Sequence, residues 1–354
     1  MKLKFICAPA SGNGGTETVL MKALNHLVKS NDVELYLTTV PENRLWLERM
    51  DEQIIIHEIK RDNKVGKLIY LSRIFLTAGT DDHFIVLSVN AIKLAAKIRR
   101  ATGKHYSITS WIHYSLINQD MFDPQNITYA DNHWAISTPI KHQLMDLGID
   151  ENNIALIFNP VDEHHGELNE PDSSDVLRLV YVGKVMLDGQ KNLRELFQGI
   201  KAYHGKIHVD FFGADTSNGE VINFVEKLGI KDECTFHGWI RDPWQRILST
   251  VHPNALVLTS HYEGLPMVMI EAMSRGIPCL VANFSGYEDI INVNENGLVY
   301  RSGELVDFVD KLQELFQMNL SAEQVEKSVS KFNSSEYYHR LDLITNGVEN
   351  EKKN

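Results

Sequence analysis

Short apolar runs alternate with longer stretches whose apolar positions recur at helical spacing, from one end of the chain to the other. A strand buried on both faces reads as a continuous apolar run, so this alternation predicts parallel sheets covered by helices. In the first half the runs predict strands near residues 3–8, 33–39, 53–59, 83–89, 106–113, 133–137 and 154–159. Helices fill the gaps, notably over Thr16–Lys29 and Ala91–Thr102. A polar stretch from Asp162 to Asp175 breaks the pattern and reads as a connection between domains. Beyond it the alternation restarts, with strands near 177–183, 206–212, 234–237, 255–259, 278–282 and 297–300. Helices are predicted there over 192–203, 219–228, 243–250 and 265–275, and the tail from Glu304 is helical. The expectation is an α/β protein of two Rossmann-like, doubly wound domains, residues 1–162 and 163–334. Such domains face each other across a cleft, with ligands held at the C-terminal ends of the strands.

A length of 354 residues suits two domains that each bury a core. The net charge of -12 is unevenly spread: residues 1–160 carry 17 basic and 17 acidic side chains, residues 161–354 carry 18 and 30. An acidic total argues against nucleic acid as a partner. The neutral first half leaves room for two basic clusters, Lys60, Arg61, Lys64, Lys67 and Arg73, then Lys93, Lys97, Arg99, Arg100 and Lys104. Leu68, Ile69, Tyr70, Leu71, Ile74 and Phe75 interleave the first. Basic residues beside exposed apolar ones favour an anionic membrane surface, whereas the same pattern also describes a charged helix face over a buried one. Three cysteines without paired spacing fit a reducing cytoplasm and exclude a thiolate zinc site. The opening Met1-Lys-Leu-Lys-Phe-Ile-Cys7 is too short in its apolar core for a signal peptide and reads as a buried first strand. No run approaches the length that spans a bilayer. The expected location is the cytoplasm, with peripheral contact at the inner face of the plasma membrane.

The densest chemistry lies in Glu263-Gly-Leu-Pro-Met-Val-Met-Ile-Glu271. Gly264 permits a tight turn and Pro266 suits the first position of a helix. Glu263 is expected at the tip of the preceding strand and Glu271 more than a turn into the helix. Between them the helix start offers free N–H groups and a positive dipole end to a phosphate. Each carboxylate accepts hydrogen bonds from hydroxyls, so the pair suits a sugar nucleotide, one facing the sugar and the other the ribose. Two further strand ends carry compatible groups. Ser11-Gly-Asn-Gly14-Gly15-Thr16-Glu17 leads from the first strand into a helix and lets backbone approach an anion, although a flexible turn explains it equally well. Gly183-Lys184 and Asp188-Gly-Gln-Lys191 follow the first strand of the second domain, and their ammonium groups suit a diphosphate. His113 is expected at a strand end, where it either bonds a substrate hydroxyl or sits satisfied in the core. The histidines show no metal spacing and no Asp-x-Asp occurs, so positive charge for a leaving diphosphate falls to lysines and helix dipoles.

Taken together, Gly14-Gly15-Thr16-Glu17, His113, Phe158-Asn-Pro-Val161, Gly183-Lys184, Lys191, Glu263-Gly-Leu-Pro…Glu271-Ala-Met, Gly276-Ile-Pro278 and Asn296-Gly297 resemble the retaining GT-B glycosyltransferases of glycosyltransferase family 4, over nearly the full length. Within that family the chain looks like the bacterial lipopolysaccharide 1,6-galactosyltransferase group, through Asp188-Gly-Gln-Lys191, His237-Gly-Trp239, Pro243-Trp244 and Tyr337-Tyr338…Arg340-Leu341. The resemblance implies a UDP-sugar donor, a glycan or glycolipid acceptor such as lipopolysaccharide core, and no metal or other cofactor. It implies that Gly14 and Gly15 approach the donor phosphate, with the backbone N–H of Gly15 bonding it. Gly183, Lys184 and Lys191 would hold the diphosphate, capped by the backbone of Gly264, Leu265, Pro266 and Met267. Glu263 would take the donor sugar hydroxyls, Glu271 the ribose, and His113 would lie near the sugar and the acceptor. Catalytic importance would fall on His113, Lys184, Lys191 and Glu263. Many relatives have arginine where Lys184 stands, and lysine loses the bidentate geometry. The resemblance also implies a last helix, about 335–354, crossing back onto the first domain. Two other readings share the architecture: a sugar-nucleotide 2-epimerase and an inactive partner subunit.

Overall fold

The structure is a computed structural model that describes residues 1–7, 15–117, 121–171 and 174–345. Two compact units are present, Met1–Pro160 with Ser335–Asn354, and Val161–Ser334.

In unit 1 the chain runs β1 (Lys2–Cys7), α1 (Gly15–Leu27), β2 (Asp32–Leu37), β3 (Ile55–Glu58), α2 (Lys64–Leu76), β4 (Asp82–Val86), α3 (Val89–Thr102), β5 (Ser107–Trp111), β6 (Asn132–Ala135), α4 (Thr138–Asp146) and β7 (Ile154–Leu156). The seven strands are parallel, in the order β3-β2-β1-β4-β5-β6-β7. β1 is buried along almost its whole length while β3, at the sheet edge, is not. Lys4 is nevertheless inside, 7% exposed, because Asp82 on the neighbouring β4 takes its ammonium at 2.7 Å. A charge in a central strand survives only with such a partner.

Unit 2 runs β8 (Val176–Val182), α5 (Leu193–Ala202), β9 (Lys206–Phe212), α6 (Glu220–Leu228), β10 (Cys234–Gly238), α7 (Trp244–Arg246), β11 (Ala255–Leu258), α8 (Met267–Met273), β12 (Cys279–Ala282), β13 (Gly297–Tyr300), α9 (Leu305–Gln317) and α10 (Ala322–Ser328). Its six strands are also parallel, ordered β10-β9-β8-β11-β12-β13. β11 and β12 are buried at every position, as apolar runs flanked by helices require. The strand order reverses between β8 and β11, so the loops leaving these two strands diverge and open a crevice at their C-terminal ends.

Each predicted strand is present within a few residues. The helix expected over 243–250 begins as α7 and continues as a π-type turn, Ile247–Val251. The polar stretch after Asp162 is anchored on unit 2: Asn169 is 2% exposed, donating its side-chain amide to the Pro253 carbonyl at 2.9 Å and its backbone N–H to that of Arg275 at 2.8 Å. The last helix, α11 (Ser334–Thr345), belongs to unit 1 from Ser335 onward. There His26 bonds Asp342 at 2.8 Å and stacks on Tyr338, and the Arg340 Nε donates to the Ile157 carbonyl at 3.1 Å. Residues 346–354 of the expected final helix lie outside the described residues.

Candidate active site

The groups singled out in unit 2 gather around the β8–β11 switch point. Gly183 and Lys184 follow β8 directly, and Lys184 is exposed, its ammonium without an ion-pair partner among the described residues. The chain then loops through Asp188, whose carboxylate takes the Arg194 guanidinium at 2.7 Å by both nitrogens, to Lys191. Asn192 starts α5 from the left-handed region (φ 48), which asparagine tolerates better than most residues, and its amide bonds Glu195 at 2.6 Å.

Glu263 lies in the loop five residues past Leu258 rather than at the strand tip. Two loops are thereby laid side by side and stitched. The His261 N–H donates to the Gln190 carbonyl at 2.9 Å, Thr259 Oγ1 to the Lys191 carbonyl at 3.0 Å, and Gln190 Nε2 to the Tyr262 carbonyl at 3.1 Å. The stitching brings Lys191 Nζ to 2.6 Å from Glu263 Oε1, with side chains 17% and 9% exposed, and Gln190 Nε2 to 3.4 Å from Glu263 Oε2. A half-buried ammonium and a carboxylate, 72 residues apart in sequence, thus stand ready as one donor–acceptor pair.

Leu265 and Pro266 are buried below this pair, and Gly264 and Met267 are half-buried. Pro266 occupies the position before α8 rather than its first residue; the Met269 N–H turns back onto the Pro266 carbonyl at 3.0 Å, and the N–H groups of Met267 and Val268 stand at the open start of the helix. Glu271, the fifth residue of α8, is half-buried and accepts the Trp244 indole N–H at 3.0 Å.

In unit 1, Gly15 is the first residue of α1, is exposed, and has open space where a side chain would start. Gly14 lies outside the described residues. His113 follows β5 by two residues. The residue is half-buried, yet both ring nitrogens are shielded from solvent and without a hydrogen-bond partner among the described residues. Its ring packs on Trp111, centroids 4.6 Å apart. Burial disfavours the cation and pushes His113 down to about 3, so near neutral pH the ring offers one donor and one acceptor.

Several singled-out residues serve the fold. His237 bonds Asp210 at 2.6 Å and stacks on Phe212, stapling β10 to β9. In the second basic cluster Arg99 grips Asp131 and Lys104 donates to the Ala78 carbonyl at 2.6 Å, so that cluster is partly absorbed into unit 1. Sequence reasoning gave Gln190 and Trp244 no role. Their contacts join residues far apart in the chain, and the only signal was their place inside the short motifs that carry the resemblance. Among the described residues no group of three or more His, Cys, Asp or Glu side chains is placed to hold a metal ion.

Comparison with known proteins bears on the family and the fold. The family model described as "Glycosyl transferases group 1" matches residues 163–332, which is nearly all of unit 2. The lipopolysaccharide 1,6-galactosyltransferase of Escherichia coli K12 is 31% identical, over 97% of this chain and 98% of its own. That of Salmonella typhimurium is 32% identical, over 88% and 89%. The solved structure of the lipopolysaccharide outer core galactosyltransferase WaaB, in its apo form, superposes with a TM-score of 0.87 at 28% identity, covering 98% of this chain and 100% of that one. The chain belongs to the lipopolysaccharide 1,6-galactosyltransferase family, within the group 1 glycosyltransferases.

Proposed function

We propose that the protein transfers a hexose of the galactose or glucose type from a UDP-sugar to a growing cell-surface glycan such as lipopolysaccharide core, with retention of configuration and without a metal. The observation that carries this reading is the Lys191–Glu263 pair, held at 2.6 Å at the switch point of unit 2. It supplies a cation for a diphosphate and an acceptor for sugar hydroxyls in one place. The relatives' activity is the second support.

In this reading Lys184, Lys191 and the N–H groups at the start of α8 draw negative charge from the breaking bond to the diphosphate, and Gly15 lets backbone reach a donor phosphate. Glu263 orients the donor sugar and Glu271 the ribose. His113, neutral, bonds a sugar hydroxyl with a ring nitrogen that has no hydrogen-bond partner among the described residues. The leaving diphosphate oxygen takes the acceptor proton on the face where the acceptor attacks, so catalysis is placement plus leaving-group stabilisation. A screen of UDP-hexoses with and without truncated lipopolysaccharide, read as UDP release, tests it. Release that requires acceptor is expected. Altered sugar nucleotide formed without acceptor would instead favour the 2-epimerase reading, and no donor binding would favour the inactive subunit.

Location at the inner face of the plasma membrane is part of the proposal. On α2 Val65, Leu68 and Ile69 are 67%, 54% and 63% exposed and share one stripe, with exposed Lys64 and Arg73 at its edges and Lys60 and Arg61 just ahead. That pattern fits a helix lying in an anionic lipid interface. Flotation with phosphatidylglycerol vesicles is expected to carry the protein at low salt, and Leu68→Glu/Ile69→Glu to abolish it. No binding at low salt would refute this part.

A further inference from the structure

Trp244 is the first residue of α7, 5% exposed, and lies beside α8. Its indole Nε1–H donates to Glu271 Oε2 at 3.0 Å. The ring is itself fixed. Its backbone N–H bonds Asp242 Oδ1 at 3.2 Å, and the Arg275 guanidinium sits 5.2 Å from the ring centroid. Arg275 Nη1 donates in turn to the Glu271 carbonyl at 2.8 Å and to Ser274 Oγ at 3.2 Å. No carboxylate of the described residues pairs with Arg275 within ion-pair distance. The stack on Trp244 and the bonds to the Glu271 carbonyl and Ser274 Oγ are therefore what hold this arginine among the described residues. A cavity of about 920 Å³ is lined by Trp244, Leu248, His252 and Arg275.

An indole N–H is a donor only, and a carboxylate has about four acceptor sites. The bond from Trp244 takes one of those sites and fixes the direction of the Glu271 carboxylate. We propose that Trp244 is a positioning residue for the donor: its N–H sets the rotamer of Glu271 so that the carboxylate meets the two ribose hydroxyls. This rests on the assignment of Glu271 to the ribose. Trp244 acts through Glu271, so its loss weakens recognition of the hydroxyls and leaves the rest of the nucleotide contacts alone.

Calorimetric affinities for UDP and 2′,3′-dideoxy-UDP test the proposal on the full chain. The wild type is expected to prefer UDP by about tenfold or more, the scale of hydrogen bonds to a charged group. Glu271→Ala brings the ratio close to one. Trp244→Phe lowers it by about threefold or more while leaving dideoxy-UDP binding within about twofold, which a merely structural loss would not do. If Trp244→Phe fails to fold, β-(3-benzothienyl)alanine at the same position replaces the N–H by sulfur at nearly constant shape, and the same drop is expected. A wild-type ratio in the Trp244 variants with the ratio lost in Glu271→Ala would overturn the role of Trp244 alone. A ratio unchanged in Glu271→Ala would overturn the ribose assignment, and the proposal with it.

Discussion

Lys191→Ala separates the structural from the functional side of the Lys191–Glu263 pair. The Glu263 side chain is 9% exposed, and after the substitution its remaining side-chain hydrogen bond among the described residues is from Gln190 Nε2 at 3.4 Å. Breaking a buried ion pair by deleting one partner costs about 3–5 kcal/mol, and partial solvent access to Lys191 places this case near 3 kcal/mol. For a unit of this size that corresponds to a melting-temperature drop of roughly 6–12 °C. Replacing the carboxylate as well removes the stranded charge, so Lys191→Ala/Glu263→Gln is expected to recover about 2 kcal/mol in a double-mutant cycle. Turnover behaves differently. Losing a group that stabilises developing negative charge costs about 10²–10³ in kcat, and the double variant does not recover it. Thermal unfolding of the four proteins gives the first quantity and UDP release the second. Near-normal turnover in Lys191→Ala would refute the functional role, and strictly additive stability losses would refute the pairing.

Other expectations follow from single features. The folded-state pKa of His113, about 3, lies below the unfolded value near 6.5, so as pH falls the unfolded chain takes the proton first. Stability is fully present above about pH 6.5 and is lost on acidification toward pH 3, by about 2 kcal/mol at pH 5. His113→Phe should remove that share, and superimposable melting profiles from pH 7 to 5 would contradict the burial of the ring. Gly213 follows β9, and a Cβ there would meet the Gly183 carbonyl oxygen at 1.7 Å. Gly213→Ala therefore forces apart the backbone beneath Lys184 and is expected to cost about 3 kcal/mol, read by thermal unfolding. Wild-type stability would show that the loop yields freely. UDP at 100 times its Kd should raise the stability of the wild type by about 2.7 kcal/mol. At the same concentration Lys184→Ala should gain measurably less, and an equal gain would remove Lys184 from the diphosphate site.

The strands were legible because parallel sheets demand continuous apolar runs, and β8, β11 and β12 offer little else. Residues tied to turn chemistry were legible too: Gly264-Leu-Pro266 announced the start of α8 to within one residue. What depends on partners distant in sequence was not. The Trp244–Glu271 bond spans 27 residues, and the Lys191–Glu263 contact needs two loops stitched through backbone carbonyls. Charge patterning alone could not sort the basic clusters, because Arg99 is drawn off by Asp131 across a loop, whereas Lys64 and Arg73 stay exposed. His113 shows the same limit. Its place near a strand end was readable, and the lack of partners for its two nitrogens among the described residues required coordinates.

The most direct test of the account is the anomeric configuration of the product, followed by proton NMR during reaction of α-linked UDP-galactose and UDP-glucose with truncated lipopolysaccharide. Acceptor-dependent appearance of an α-linked hexose with matching UDP release is expected. A β-linked product would contradict retention, and no transfer from either donor to a lipopolysaccharide acceptor would contradict the proposed function itself.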